Sequence, residues 1–432
     1  MTGTDVLLEL EVTGYANGGA GIARANGRVV FVEGALPGET VLAAITDDSH
    51  AAYAKAVVTQ IVDANARRIE PGCPAAAAGA GCCDLAYVEP GYARELGATA
   101  LADVLRRIGG FAFDERAAPS VEALADSSSG WRVRTRLAVG RDGRAGLRAR
   151  RSAAIVTEPC AGPVAGLLED VDALGARPGT ELVLMAGTDG ERHAGELEGP
   201  RSPSGRNSGG RKGRDDRHRR RAQQSRGARS EPRVLRNLIG EDLVTHQVGE
   251  RTWQVPVTGF WQAHRNAPQV YTDAALTMLA EVGIAGRVHA WDLYGGAGVF
   301  SGALLDGDRT HGFEVTSIDL VDTDPGALAA AEVTLAADPV RIHRGPVAAT
   351  LSRLERANVV VSDPPRSGSG RSVVDAIAAA EPDAVVHVGC DAASFDRDLG
   401  RFAANGYRVR QWRAFDAFPM THHVEAIAVL TR

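Results

Sequence analysis

The chain has 432 residues, which leads us to expect two or three domains. Apolar residues make up 44%, enough for sizeable cores, yet no stretch approaches the ~20 unbroken apolar residues of a membrane-spanning helix. The formal net charge of -6 excludes a uniformly basic polyanion binder, so any nucleic-acid contact has to come from local basic patches.

The N-terminus, Met1–Asp5, has no basic stretch followed by an apolar one, so a cytoplasmic protein is expected. Residues 5–62 read as all-β. Short apolar runs at Leu7–Val12, Arg28–Val32, Thr40–Ile45 and Ala56–Val62 are punctuated by Asn17-Gly18-Gly19, Asn26-Gly27 and Pro37-Gly38. Five short strands in this span suit an OB-like barrel, a common nucleic-acid platform that also serves other ligands.

A cysteine-bearing loop follows over residues 70–90. Residues 91–109 read as a helix, with Tyr92, Leu96, Leu101, Val104, Leu105 and Ile108 at helical spacing. Residues 130–190 return to strands. In Trp131–Val139 the alternation of Arg132, Arg134 and Arg136 with apolar positions predicts a sheet with one basic face. Residues 197–232 are low-complexity Gly/Ser/Arg sequence, expected to be disordered. Between Arg201 and Arg233 there are 12 Lys+Arg against 3 Asp+Glu, a local +9 on a body carrying -15. This insertion is either a solvated spacer or a source of sequence-independent phosphate contacts. Order is expected again from Val234–Ile239.

From residue 265 helices and strands alternate. Helical stretches 267–283, 325–336, 371–380 and 394–404 interleave with apolar runs at Val288–Tyr294, Ile318–Val321, Val359–Val361, Val385–Val388 and Ala426–Leu430. The fold class is therefore α/β, with a doubly wound, Rossmann-like C-terminal sheet. The expected domains are 1–66, an OB-like barrel; 67–250, a central α+β domain; and 251–432, the Rossmann-like domain.

Asp292-Leu293-Tyr294-Gly295-Gly296-Ala297-Gly298 ends the first strand of that sheet and opens a helix. Gly295, Gly296 and Gly298 suit close backbone approach to a ligand, and Asp322 at the next strand end suits ribose hydroxyls. The spacing is not that of a dinucleotide loop, and a plain strand-to-helix turn is the alternative. Three further signals fall at strand ends, where open α/β sheets place their sites. They are Asp363-Pro364-Pro365-Arg366, Gly389-Cys390-Asp391, and Phe418–Glu425 before the last strand. A thiol, a carboxylate and a second polar anchor are what C5 methylation of a uracil needs. A thiolate adds to C6 and loads charge onto C5, C5 takes the methyl group, and a base removes the C5 proton. Cys390, Glu425 and Asp363 fit those roles. Each also has a plainer reading: a small buried residue, a capping or surface carboxylate, and a helix N-cap.

These residues resemble the RNA uracil-5-methyltransferase family, in its branch with an N-terminal TRAM domain, over nearly the whole chain. The glycine loop is matched by Asp292–Gly298 and the Phe-x-Gln segment by Phe260-Trp261-Gln262. Asp-Pro-Pro-Arg-x-Gly is matched by Asp363–Gly368, the catalytic cysteine by Cys390, and Phe-Pro-x-Thr-x-His-Val-Glu by Phe418–Glu425. The resemblance implies a class I S-adenosylmethionine-dependent methyltransferase domain making 5-methyluridine in RNA. Cys390 would be the nucleophile and Glu425 the base. Gln262 and Asp363 would contact cofactor or uracil, and Tyr294, Gly295, Gly296, Gly298 and Asp322 would hold S-adenosylmethionine. It further implies a [4Fe-4S] cluster on Cys73, Cys82, Cys83 and Cys160. The spacing here runs Cys73-x8-Cys82-Cys83 where the family commonly has Cys-x5-Cys-x2-Cys; zinc is the competing metal and four unliganded thiols the plain alternative. Cys390 is followed by Asp391-Ala392 instead of Asn-Pro, and Gly345-Pro346 stands where Gly-Asp is usual. An odd cysteine count in a cytosolic protein agrees with metal and catalytic roles split four plus one. The TRAM barrel together with the cysteines points to 23S rRNA, with tRNA as the alternative and a monomer as the expected state. Two other readings remain: an RNA-binding protein without catalysis, and methylation of cytosine at C5.

Overall fold

The structure, a computed structural model, describes residues 7–107, 120–198 and 235–432. The basic insertion beyond Glu198 and the end of the 91–109 helix lie outside the described residues. No helix among the described residues is long and apolar enough to cross a membrane.

The N-terminal strands β1 (Leu7–Tyr15), β2 (Ala20–Ala25), β3 (Arg28–Glu33), β4 (Thr40–Asp47) and β5 (Tyr53–Asp63) close a barrel in the order β1-β2-β3-β5-β4. The β2–β3 turn is Asn26-Gly27, both at positive φ (51° and 77°), as a tight hairpin of this kind requires. Alternate residues of the strands, among them Leu10, Val12, Val30, Val32, Val41 and Ala43, fill its interior. Glu39 is buried at the barrel's end. It accepts from Leu36 N (2.8 Å) and Asn65 N (3.2 Å) and pairs with Arg68 at 2.6 and 2.8 Å, tying the barrel to the chain that leaves it.

A one-turn helix α1 (Pro74–Ala77) and a longer α2 (Pro90–Arg107) follow, then a short strand β6 (Val121–Ala123). The central sheet contains β7 (Arg134–Val139), β8 (Ala145–Arg148), β9 (Ile155–Val156), β10 (Glu181–Ala186), β11 (Arg192–Leu197) and β12 (Leu235–Ile239), ordered β12-β11-β10-β7-β8-β9. A hairpin of β13 (Leu243–Val248) and β14 (Arg251–Pro256) leads out of it. Trp253 of that hairpin donates to Ala297 O at 2.8 Å, beneath the glycine loop.

The C-terminal sheet comprises β15 (Gly286–Leu293), β16 (Phe313–Asp322), β17 (Val340–Arg344), β18 (Val359–Ser362), β19 (Ala384–Gly389), β20 (Arg408–Asp416) and β21 (Glu425–Thr431). Its order is β17-β16-β15-β18-β19-β21-β20-β6. The five strands from β17 to β19 are parallel, and β21 runs antiparallel between β19 and β20. β6 adds to the far edge, parallel to β20. Its residues come from the stretch expected to form the central domain, and so does α2. Ala98, Leu101 and Leu105 of α2 pack with α7 (Arg371–Ala380) and α8 (Ala392–Ala404) on one face of this sheet, beside the short α6 (Val347–Thr350). On the other face lie α3 (Ala267–Glu281) and α4 (Val299–His311). Helix α5 (Pro325–Thr334), capped by Asp324 accepting from Ala327 N at 2.8 Å, covers β14 and the sheet edge. The central strands are buried on both faces, hence the unbroken Val359–Val361 and Val385-Val386 runs.

Candidate active site

The parallel strands deliver their C-terminal ends to one edge, and the chemically interesting residues collect there. β15 ends at the glycine loop, β16 at Asp322, β18 just before Asp363, and β19 just before Cys390. Glu425 enters the same region by the opposite route, as the first residue of antiparallel β21. Gly389 pairs with Ala426, which brings Cys390 beside Glu425 across the ladder.

Glu425 is 6% exposed, so neither the surface nor a helix cap accounts for it. Burial first, and the Asp363 charge second, push its pKa up to about 8, while Arg366 pulls it down. Asp363 caps no helix: a seven-residue turn separates it from α7, whose N-cap is Gly370. Burial, then Asp292 and Asp322, raise Asp363 to about 7. The Cys390 thiol is pushed up to about 11 by burial, then by Glu425 and Asp363, with Arg366 opposing. Cys390 precedes α8, whose N-cap Asp391 accepts from Ser394 N at 2.9 Å. The helix N-terminus favours a thiolate there. Arg366 contacts His423 Nε2 at 2.9 Å, so this cation, which opposes the rise in the thiol's pKa, is itself held in place.

Two openings share this edge. One is lined by Gln262, Tyr294, Gly295, Gly296 and Asp363 together with Phe260. Gly296 has φ 54° and open space where a Cβ would stand, so a ligand can approach closely there, although its N–H already donates to Asp322 at 3.0 Å. Gly298 serves differently. It starts α4 at φ 79°, and a Cβ there would lie 2.8 Å from Leu320 and Leu335, so this glycine lets helix and strand pack. Asp322 also accepts from Thr323 N and Asp324 N, at 2.6 and 2.7 Å, and lies behind the loop rather than in the opening's wall. Asp292, fully buried beneath the loop, accepts from the Ser301 hydroxyl at 2.7 Å.

The second opening is a cleft of about 220 Å³ onto Cys390. Arg366, His422 and His423 line it from the C-terminal domain, Gly97 and Leu101 from α2, and Asn17 from the barrel. Sequence reading did not select Asn17, Arg366 or His423 as site residues. Arg366 and His423 lie inside the quoted motifs, a usable signal; Asn17 is an ordinary turn residue that only tertiary packing brings in.

The remaining cysteines form a separate site. The Cys73, Cys83 and Cys160 sulfurs lie within 4.8 Å of one another. Cys82 lies beside them, and interaction with Cys160 and Cys83 lowers its pKa. Cys82, the fourth expected ligand, adjoins this group but is not one of the three sulfurs that gather within 4.8 Å. Ala75, Ala80, Ala86 and Val156 surround the set, and Met420 packs against it.

Known proteins share this plan. Residues 7–59 match the TRAM domain and residues 314–432 the family described as tRNA (Uracil-5-)-methyltransferase. An RNA methyltransferase of Corynebacterium glutamicum is 39% identical, covering 99% of this chain and 97% of its own. The 23S rRNA (uracil(1939)-C(5))-methyltransferase RlmD of Halomonas elongata is 30% identical over 99% of this chain and 90% of its own. Among solved structures, the Pyrococcus abyssi tRNA (uracil-54, C5)-methyltransferase in complex with S-adenosyl-L-homocysteine superimposes with a TM-score of 0.67. It is 18% identical and covers 98% of this chain and 100% of its own, a likeness of fold.

Proposed function

The chain belongs to the RNA uracil-5-methyltransferase family, and on that premise we propose that it methylates C5 of a uridine in 23S rRNA, using S-adenosylmethionine and a covalent bond to Cys390. The observation that carries this reading is the meeting of Cys390, Glu425 and Asp363 at neighbouring strand ends, beside the glycine-loop opening.

Cys390 adds as a thiolate to C6 of the uracil, and the charge moves onto C5. Its high pKa in the free protein makes thiolate formation the demanding part; Arg366 and the α8 N-terminus assist it. Asp363, whose pKa is raised to about 7, would accept from the uracil N3–H in its ionised form. Bound S-adenosylmethionine supplies the electrophilic methyl group, and Gln262, Tyr294, Gly295, Gly296 and Asp363 line the opening that would hold it, with Asp322 behind the loop. Glu425 then takes the C5 proton, and a carboxylate raised to about 8 is a stronger base than an ordinary one. The C6–S bond breaks and Cys390 is released.

The converging Cys73, Cys83 and Cys160, with Cys82 adjoining them, support a [4Fe-4S] cluster, whose usual ligands are cysteine thiolates. The cluster is assigned a structural place here and no part in the chemistry. For the target, a TRAM barrel with a cysteine set favours ribosomal RNA, as does the name of the Halomonas relative. A tRNA target is the second reading, favoured by the name of the Pyrococcus structure.

Incubation with labelled S-adenosylmethionine and RNA lacking the modification is expected to yield labelled 5-methyluridine in 23S rRNA, abolished in Cys390→Ala. Label in tRNA alone shifts the target, and label in 5-methylcytidine overturns the reaction. The same preparation is expected to contain iron and acid-labile sulfide in equal amounts; zinc without iron overturns the cluster assignment.

A further inference from the structure

The cysteine loop touches the catalytic loop at specific atoms. Asp84 directly follows Cys83. Its Oδ1 accepts from the His422 backbone N–H at 3.2 Å, and its Oδ2 accepts from His422 Nδ1. Next to it, Leu85 N–H donates to Met420 O at 2.9 Å. Met420, at φ 65°, turns its side chain into the apolar shell around Cys73 and Cys83. The barrel reaches the same point. A Cβ on Gly19 would stand 3.0 Å from the His422 Cβ and 3.2 Å from the Asp84 carboxylate. The turn so held, from Phe418 to His423, is closed by Thr421 Oγ1, which donates to Phe418 O at 2.7 Å and accepts from His423 N at 3.2 Å. It leads within two residues into Glu425 and forms part of the wall of the Cys390 cleft.

We propose that Asp84 is a positioning residue: by holding His422 it fixes the turn that aims Glu425, so the cysteine loop sets the placement of the catalytic base. This rests on the reaction proposed above. Within that reaction Glu425 acts at one step alone. Its carboxylate takes the proton from C5, the C5–H electron pair becomes the C5=C6 double bond, and the C6–S pair departs with Cys390 as thiolate. Addition of Cys390 and transfer of the methyl group come before and need no base at Glu425. Loosening the turn therefore slows release and leaves the methylated uridine bound to the protein. General destabilisation would instead depress formation and release together.

The experiment uses the full-length protein, loaded with its metal, and RNA containing ordinary uridine. Wild type, Asp84→Ala, Asp84→Asn and His422→Ala are compared for turnover and for protein–RNA adduct surviving denaturation. Asp84→Ala is expected to lose roughly ten- to a hundredfold in turnover, the scale of cost of a ~1 Å misplacement. It should form adduct at nearly the wild-type rate and accumulate it, with iron content unchanged. Asp84→Asn keeps an acceptor for the His422 N–H and is expected to recover most turnover. His422→Ala probes the contact from the other loop and should also accumulate adduct, so a folding failure of Asp84→Ala leaves the test intact. Unchanged turnover in Asp84→Ala and His422→Ala, or equal loss of adduct formation and release, overturns the proposal. Absence of 5-methyluridine from the wild-type reaction overturns instead the reaction on which it rests.

Discussion

Burial gives Glu425 its usefulness and its cost. A carboxyl group shielded from water and facing Asp363 holds its proton to about 8, against 4.5 ordinarily. Its folded pKa lies above its unfolded one, so the native state keeps a proton that the unfolded chain releases. The stability this contributes is present in acid and declines as pH rises from about 4.5 to about 8. Glu425→Gln is therefore expected to abolish release of product yet raise the melting temperature at about pH 9, with the gap closing towards about pH 4, at roughly 2 °C per kcal/mol relieved. Thermal melts across that range check it; a variant no more stable than wild type in alkali would show that the group carries no burial penalty. At this scale much was legible in the sequence. Cys390, Asp363 and Glu425 stand out because each adjoins an apolar run that can only be a buried strand. Gln262, Tyr294, Gly295 and Gly296 do line one opening, whereas Gly298 and Asp322 stand back from it. Spacing alone cannot separate a glycine that admits a ligand from one that admits a helix.

Among the elements, β7 and the residues leading into it show how a pattern becomes a surface. The alternation of Arg132, Arg134 and Arg136 predicts one basic face, and all three line a cleft of about 260 Å³ beside Cys82, Cys83 and Cys160. Arg134 is depressed to about 10 by burial and by Arg136, with no carboxylate opposing among the described residues. Half-buried positive charge of this kind invites an anion, and under the proposed function the RNA backbone would supply it. Arg134→Gln with Arg136→Gln is expected to weaken RNA binding and lower the slope of log affinity against log salt by about 0.7–0.9 for each phosphate no longer neutralised. Anisotropy titrations at several salt concentrations measure both; an unchanged slope would mean that the face does not meet RNA. Other elements hid from the sequence. β6 has three residues and no periodicity, yet it completes the edge of the C-terminal sheet. β20, with Arg408, Arg410 and Arg413 among its residues, lacks the apolar run that marked its neighbours, because it lies near an edge.

Over the whole molecule, the order of units in the chain does not match their grouping in space. The stretch from Pro90 to Ala123 packs on and extends the C-terminal sheet although the central sheet follows it in sequence. Arg150 and Arg151 hold Glu33 of the barrel at 2.8 and 3.0 Å, and Arg68 holds Glu39, so the barrel is seated rather than tethered. One turn of it reaches the Cys390 cleft. Patterning gave each sheet its class, since apolar periodicity is local. The clefts between them depend on contacts such as Asp84 with His422, separated by 338 positions, which no local signal encodes. The proposed chemistry requires Cys390 to attack the uracil and to be released later with help from Glu425. The most direct test is RNA with 5-fluorouridine at the target position, whose C5 fluorine cannot leave as a proton. Peptide mapping by mass spectrometry is predicted to find a methylated nucleotide bound to Cys390, dependent on S-adenosylmethionine. Efficient methylation of ordinary RNA with no such adduct, or an adduct on another residue, would contradict it.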